Sequence, residues 1–446
     1  MKGAKLKKPK ISRRGFIGSS LAAMTGLEIV SKNKLFGDTG RNAADQPKIK
    51  EFRTLGRTGF KVSDVSFGAG DLNDPALLEA ALDMGINYVD TAEHYGRGNS
   101  ERAVGKAIKS RDRKTIFVTT KLNLIMGRRD KQGLKERAGR CLERLQLDYV
   151  DCLMLHMIPA AEQLKHEPYH EAIRELKAEG KVRYSGLSNH GTEHILAGPT
   201  KEPMEKVVLA AAEDGRFDVV LFVYNFLQKE QGEKILRACK EKKMGTTLMK
   251  TNPVRFYGDV KAMFDQAKEK GRKIPEQYIK MIDEYEARVD KAEVFKKKYG
   301  LTSDAQVRDA AIKFCLSNPD VHAVCPTPKT FEEVEIFVAL SGKRLEPAEK
   351  EMLAAYKKTY GQFYCRHACG ECESACPYGV PVNTIMRYDH YFSAQGREKH
   401  ALVKYASLPG NNSGLCAHCA GLCEQNCPYG IPIQGLLVMA HQTLTL

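Results

Sequence analysis

The chain has 446 residues, 42% of them hydrophobic and 28% charged, with a formal net charge of +15. That length accommodates one large domain and one small one. Seven of the positive charges (Lys2, Lys5, Lys7, Lys8, Lys10, Arg13 and Arg14) precede the first acid, so the remaining surplus is spread thinly. No helix-turn-helix, zinc-finger or RNA-recognition pattern accompanies it, and no nucleic-acid partner is expected. No window of about eighteen uncharged apolar residues occurs, so no transmembrane helix is predicted.

Residues 1–35 read as a leader, a basic segment followed by a short, weakly apolar one. The stretch SRRGFIG, Ser12 to Gly18, resembles the twin-arginine translocation signal of bacteria, with Arg13, Arg14, Phe16 and Ile17 in the matching places. The resemblance implies export to the periplasm by the Tat translocase, a route that carries folded proteins with cofactors already inserted. Residues 36–50 read as a linker.

From residue 51 to residue 348 short apolar runs alternate with amphipathic ones. The apolar runs are VSDVSFG, INYVD, TIFVTTK, YVDCLMLH, VRYSGLS, DVVLFVYN, GTTLMK and HAVCP. Helix-patterned runs such as PALLEAALDMG and LKERAGRCLERLQ separate them. Parallel strands need long crossovers, so eight such units predict an α/β fold, a (β/α)8 TIM barrel. An open doubly wound sheet is the alternative. No G-x-G-x-x-G follows the first strand, which counts against a dinucleotide site of that type. Residues 251–300 form an enlarged charged connection with no assigned chemistry.

In such barrels chemistry gathers at the C-terminal ends of the strands. Asp90, Lys121, His156 and the pair Ser188-Asn189 each close an apolar run. Asp, Tyr, Lys and His around one pocket suit carbonyl reduction. Charge builds on the carbonyl oxygen, a tyrosine can supply the proton if an ammonium lowers its pKa, and a neutral histidine can orient the oxygen.

The blocks DTAEHYGRGNSE, TTKL, DYVDCLMLH and GLSN strongly resemble the aldo/keto reductases, over about residues 52–345. The resemblance implies Tyr95 as proton donor, Lys121 and Asp90 as its tuning pair, and His156 for substrate orientation. It implies NADP or NAD as cofactor and a small carbonyl or alcohol as substrate. Ser188 and Asn189 would bind the nicotinamide carboxamide, Lys329 and Thr330 would meet the 2′-phosphate, and Lys250 completes the candidate cofactor contacts. His94, beside Tyr95, reads as a pocket wall. The chain departs from the family where Leu221 stands for a glutamine, Met249 for a stacking aromatic and Thr327 for a glycine.

After Tyr356 the pattern changes, and residues 349–446 read as a small, mostly helical domain. Its cysteines fall in two groups: Cys365, Cys369, Cys372 and Cys376, then Cys416, Cys419, Cys423 and Cys427. Each group ends in Cys-Pro and continues alike, as PYGVPV and PYGIPI. The repeat resembles the bacterial two-cluster ferredoxins, each group being one residue longer than that pattern. It implies two [4Fe-4S] clusters, with the fourth cysteine of each run serving the other cluster. Zinc and disulfides are the competing readings. His367 and His418 read as bystanders.

A nicotinamide moves two electrons as hydride, whereas such a cluster moves one. The expected function is an exported carbonyl–alcohol oxidoreductase using NAD(P)H and carrying two clusters. Two alternatives are a cluster-linked dehydrogenase that exchanges electrons with a partner protein, and a non-catalytic redox-sensing barrel.

Overall fold

Eight short parallel strands form the centre of the protein, in sequential order β3 to β10. The computed structural model describes residues 46–190, 202–254, 294–301 and 303–445, so SRRGFIG and most of the charged connection lie outside the described residues. A hairpin comes first, β1 (Phe52–Thr54) antiparallel to β2 (Lys61–Ser63). The sheet follows as β3 (Phe67–Gly68), β4 (Tyr88–Asp90), β5 (Phe117–Leu122), β6 (Val150–His156), β7 (Val182–Asn189), β8 (Val219–Val223), β9 (Gly245–Met249) and β10 (Ala323–Val324). Six of the eight fall inside the apolar runs of the sequence, and β5 and β7 each run one residue past theirs, to Leu122 and Asn189.

The ring closes between the first and last strands. Val65 bridges Val324 in parallel, Ser66 N donates to the Val324 carbonyl at 2.8 Å, and Gly68 N donates to the Pro326 carbonyl at 2.8 Å. A Cβ at Gly68 would stand 2.9 Å from that Pro326 carbonyl oxygen, so the seam requires glycine.

Outer helices pack against the strands: α1 (Pro75–Asp83), α2 (Asn99–Ile108), α3 (Lys131–Leu145), α4 (Glu167–Ala178), α5 (Met204–Asp214), α6 (Lys229–Glu241), α7 (Asp304–Leu316) and α8 (Phe331–Val338). Strand residues alternate between two cores, as a period of two demands. Val89, Val118, Leu153, Leu155 and Leu187 face the helices. Tyr88, Phe117, Cys152 and Met154 fill the interior together with Leu55 of the hairpin. Tyr88 stacks on Phe117 at 5.3 Å, and Phe60 of the hairpin meets Phe117 edge-on at the same distance. The hairpin was not legible as strands in the sequence; it plugs the closed end of the barrel.

The chain continues through α9 (Pro347–Tyr360), α10 (Val382–Gln395), α11 (Glu398–Ala406), α12 (Leu422–Gln425) and α13 (Ile433–Leu444). These elements share one apolar core with the barrel's loops. Phe226, Leu227 and Val254 bury together with Tyr356, Ile385, Tyr388 and Leu437. Among the described residues no helix is long and apolar enough to cross a membrane.

Candidate functional site

The alternation that builds the barrel also sets its chemistry. On β4, Tyr88 points inward and so does Asp90. On β5, Phe117, Thr119 and Lys121 share a face, as do Cys152, Met154 and His156 on β6. Parallel register brings the strand ends level: Gly68 pairs with Asp90, Lys121 with Met154, and His156 with Ser188. Polar groups two residues apart from core residues thus meet at one end of the interior.

The Lys121 ammonium donates to Asp90 Oδ1 and, at 2.7 Å, to the Thr91 carbonyl. It also hydrogen-bonds the Tyr95 hydroxyl and lies 5.0 Å from that ring's centre. The ring centres of Tyr95 and His156 are 5.8 Å apart, and His94 lies against both at 5.0 and 4.8 Å. Tyr95 sits in the turn after β4, where Gly96, Arg97 and Gly98 all adopt positive φ. Left-handed backbone at a non-glycine residue costs about 1–2 kcal/mol, so the turn needs outside support. Arg137 supplies it by donating to both Glu93 carboxylate oxygens, and Asn123 N donates to Glu93 Oε1 at 3.0 Å. The buried Glu101 accepts from Thr120 Oγ1 at 2.6 Å and from Arg144 Nε at 2.5 Å. Glu93 and Glu101 lie in the quoted motif, but their arginine partners were not found from sequence.

Burial sets the protonation states. It raises the Asp90 carboxyl, a rise the Lys121 ammonium opposes. It also works against the ammonium itself, but Asp90 and Tyr95 hold the Lys121 pKa above its ordinary value. These directions compete, and we assign the ion pair, because Asp90 and the Thr91 carbonyl both face the ammonium. Tyr95 differs from the expectation: burial raises its hydroxyl, and Lys121 offsets only part of the rise. The phenol therefore stays protonated, the state a proton donor requires. Burial, then the Lys121 charge, pushes His156 well below the usual histidine range, so its ring is neutral.

Asp90 Oδ2, His156 Nδ1 and Ser188 Oγ are buried with no hydrogen-bond partner among the described residues. Unpaired buried polar atoms are costly, and these three are free to meet a bound molecule. Asn189 Nδ2 instead donates to the Ile158 carbonyl at 2.9 Å. The other candidate cofactor contacts are engaged. Lys250 Nζ donates to the Tyr391 hydroxyl at 3.0 Å. Lys329 Nζ donates to the Gln395 carbonyl at 2.5 Å, and the Thr330 hydroxyl caps α8 by accepting from Glu333 N at 3.2 Å.

None of the thirteen cysteines is in a disulfide. Cys141, Cys152, Cys239, Cys315 and Cys325 are buried in the barrel and its outer layer. In the tail the two runs fold alike. Gly379 N donates to the Cys376 carbonyl at 3.2 Å, and Gly430 N to that of Cys427 at 3.2 Å. Asn383 N donates to Glu373, and Gln434 N to Glu424, at 2.8 and 3.1 Å. The last cysteine of each run lies near the other run: Cys427 acts electrostatically on Cys365, Cys369 and Cys372, and Cys376 on Cys416 and Cys423. Cys372 also senses Cys423, where the sets adjoin. N–H groups face several sulfurs: Asn383 Nδ2 on Cys365 at 3.4 Å, Val380 N on Cys376 at 3.4 Å and Gly421 N on Cys419 at 3.2 Å. Among the described residues, no three His, Cys, Asp or Glu side chains converge tightly enough to hold a single metal ion.

The tail meets the barrel through the first run. His367 exchanges two hydrogen bonds with Gln228, and Arg387 Nη1 donates to His190 Nδ1 at 3.2 Å. His418 of the second run is exposed.

The chain is similar over part of its length to several known proteins. The chain is 38% identical over 159 residues to an L-galactose dehydrogenase of Arabidopsis thaliana, covering 31% of this chain and 48% of that protein. It is 28% identical over 217 residues to an NADH-specific methylglyoxal reductase of Escherichia coli, covering 42% and 61%. The chain thus spans about half to three-fifths of these relatives. Among solved structures, the holo form of an aldo-keto reductase from Bacillus halodurans matches with a TM-score of 0.48 at 23% identity, covering 68% of this chain and 95% of that one. An aldo/keto reductase from Klebsiella pneumoniae in complex with NADP and acetate matches with a TM-score of 0.48 at 19% identity, covering 72% and 100%. The sequence model of the aldo/keto reductase family matches residues 72–357, more than half of the chain, and the chain belongs to that family.

Proposed function

We propose that this chain is an exported oxidoreductase that interconverts a carbonyl and an alcohol in its barrel and carries two [4Fe-4S] clusters in its tail. One observation carries the reading: the buried Lys121 ammonium is held between Asp90 and the Tyr95 hydroxyl, with the neutral His156 ring opposite. Names among the relatives, for L-galactose and methylglyoxal, support a small polar carbonyl or alcohol as substrate.

A carbonyl oxygen in the pocket would meet the Tyr95 hydroxyl and the His156 ring. Tyr95 gives its proton to the oxygen as charge develops there, and the phenolate left behind lies beside the Lys121 ammonium. Asp90 keeps that ammonium charged and aimed. Reduced NAD(P), when bound, supplies the hydride to the carbonyl carbon. The buried, unpartnered Ser188 Oγ fits the carboxamide end of such a cofactor; its phosphate end has no free cation at Lys250 or Lys329.

The eight thiols fit two clusters. Cys365, Cys369, Cys372 and Cys427 would hold one, and Cys416, Cys419, Cys423 and Cys376 the other, each supplying one-electron chemistry. Export by the twin-arginine route rests on SRRGFIG and agrees with cofactors inserted before transport. A second reading, electron exchange with a partner protein, draws on the rim of the second set. Tyr378, Leu415 and Leu422, next to its cysteines, are 46%, 42% and 38% exposed, an apolar margin suited to a transient contact.

The full chain, purified anaerobically, tests this. We expect bound iron and NADPH oxidation against a panel of carbonyls, lost in Tyr95→Phe. Equal turnover in Tyr95→Phe would remove the proposed donor, and bound zinc in place of iron would remove the clusters.

A further inference from the structure

One face of α10 lies along the positions assigned to a dinucleotide. Arg387, Tyr391 and Gln395 are spaced four residues apart, so they share a helical face about 12 Å long. Arg387 meets His190, the residue after Asn189, through its side chain at 3.2 Å and its backbone carbonyl at 3.3 Å. Tyr391 accepts from Lys250 at 3.0 Å, and its ring lies 5.0 Å from the ammonium. Gln395 and Gly396 offer their carbonyls to Lys329 at 2.5 and 3.3 Å. Beyond the helix, Arg397 pairs with Asp71 of the barrel at 2.9 Å.

The order matters. The helix runs from the carboxamide residues, past Lys250, to the cation expected at the phosphate. A helix C-terminus carries a partial negative charge on its unpaired carbonyls. The end of α10 therefore gives Lys329 the electrostatic partner that a phosphate would give it.

We propose that the docked C-terminal end of α10 and a bound dinucleotide occupy the same groove, so that the cofactor enters only when the end of α10, from Tyr391 on, swings away. This deepens the oxidoreductase reading and rests on it. The docked tail lowers apparent nucleotide affinity by the fraction of molecules with the groove open.

The test is binding, not turnover. NADPH and NADH are titrated into the cluster-loaded full chain, as wild type, as Tyr391→Phe/Arg397→Ala, and as Asp71→Asn. Asp71→Asn breaks the Arg397 pair from the barrel side, so a folding defect in the tail cannot imitate the effect. One lost hydrogen bond and one lost partly exposed ion pair correspond to roughly tenfold tighter binding in the double variant, with Asp71→Asn shifted the same way by less. In wild type, saturating nucleotide should speed hydrogen exchange across residues 382–395. Equal affinity in all three proteins, nucleotide bound with exchange across 382–395 unchanged, or no binding by any of them would overturn the proposal. Carbonyl turnover in wild type and Tyr95→Phe judges the oxidoreductase reading separately.

Discussion

Lys121 on β5 reaches across to Asp90 on β4, and both side chains are almost fully buried, at 0% and 5% exposure. A buried ammonium without its carboxylate is costly. Asp90→Asn should therefore lower the Lys121 pKa and strip the charge that stabilises the Tyr95 phenolate. We expect turnover to fall by a factor of about a hundred or more, with substrate KM changed much less. Steady-state kinetics, with circular dichroism to check folding, decides it; unchanged turnover would mean that the pair is only structural.

The pH profile follows from Tyr95. Reduction needs the protonated phenol, whose pKa burial raises above the ordinary value of 10.0. Activity in the reducing direction should be level through neutral pH and fall only as pH rises through that raised value. Alcohol oxidation, which needs the phenolate, should climb over the same range. A reduction rate that is already falling between pH 7 and 8 would contradict this assignment.

The proposed exchange of last cysteines between the two runs makes a prediction that iron counting alone cannot. In Cys427→Ser one cluster should be lost, and the thiols exposed to alkylation should be Cys365, Cys369 and Cys372. In Cys376→Ser they should be Cys416, Cys419 and Cys423. Mass-spectrometric mapping of the alkylated sites reads the result. Labelling of the mutated run's own members would show that each run serves its own cluster.

His322 gives a stability prediction far from the pocket. Burial, then the Arg53 charge, depresses it to about 4 from 6.5, and its Nδ1 accepts from Thr246 N at 3.0 Å. The unfolded imidazole takes up its proton first as pH falls. The stabilisation is therefore complete above about 6.5 and is lost as pH falls toward 4, by about 3 kcal/mol in all. Tm should drop over that window in wild type, and less in His322→Gln. Parallel curves for the two proteins would refute the assignment.

The barrel was legible because its strands are short apolar runs with helices between them. Asp90, Lys121, His156 and Ser188 were legible because each ends such a run on its inward face. The supports were not. Arg137 lies 44 residues from Glu93, and Arg387 lies 197 from His190; no local pattern announces such pairs. Lys250 and Lys329 looked like cofactor ligands because sequence cannot show a helix 141 and 66 residues onward meeting them. The Tyr95 pKa also ran opposite to expectation, since burial outweighs a nearby ammonium and burial cannot be read from a motif.

Phe226 and Leu227 of the barrel are covered by Tyr356, Ile385 and Leu437 of the segments that follow it. Deleting the cysteine repeat would leave that apolar surface wet, so the barrel is not expected to survive as a truncated enzyme. With the proposed clusters in place, oxygen damage to the tail would act as a clock on the whole molecule. Its working lifetime in air would then be set by the tail rather than by the barrel it covers.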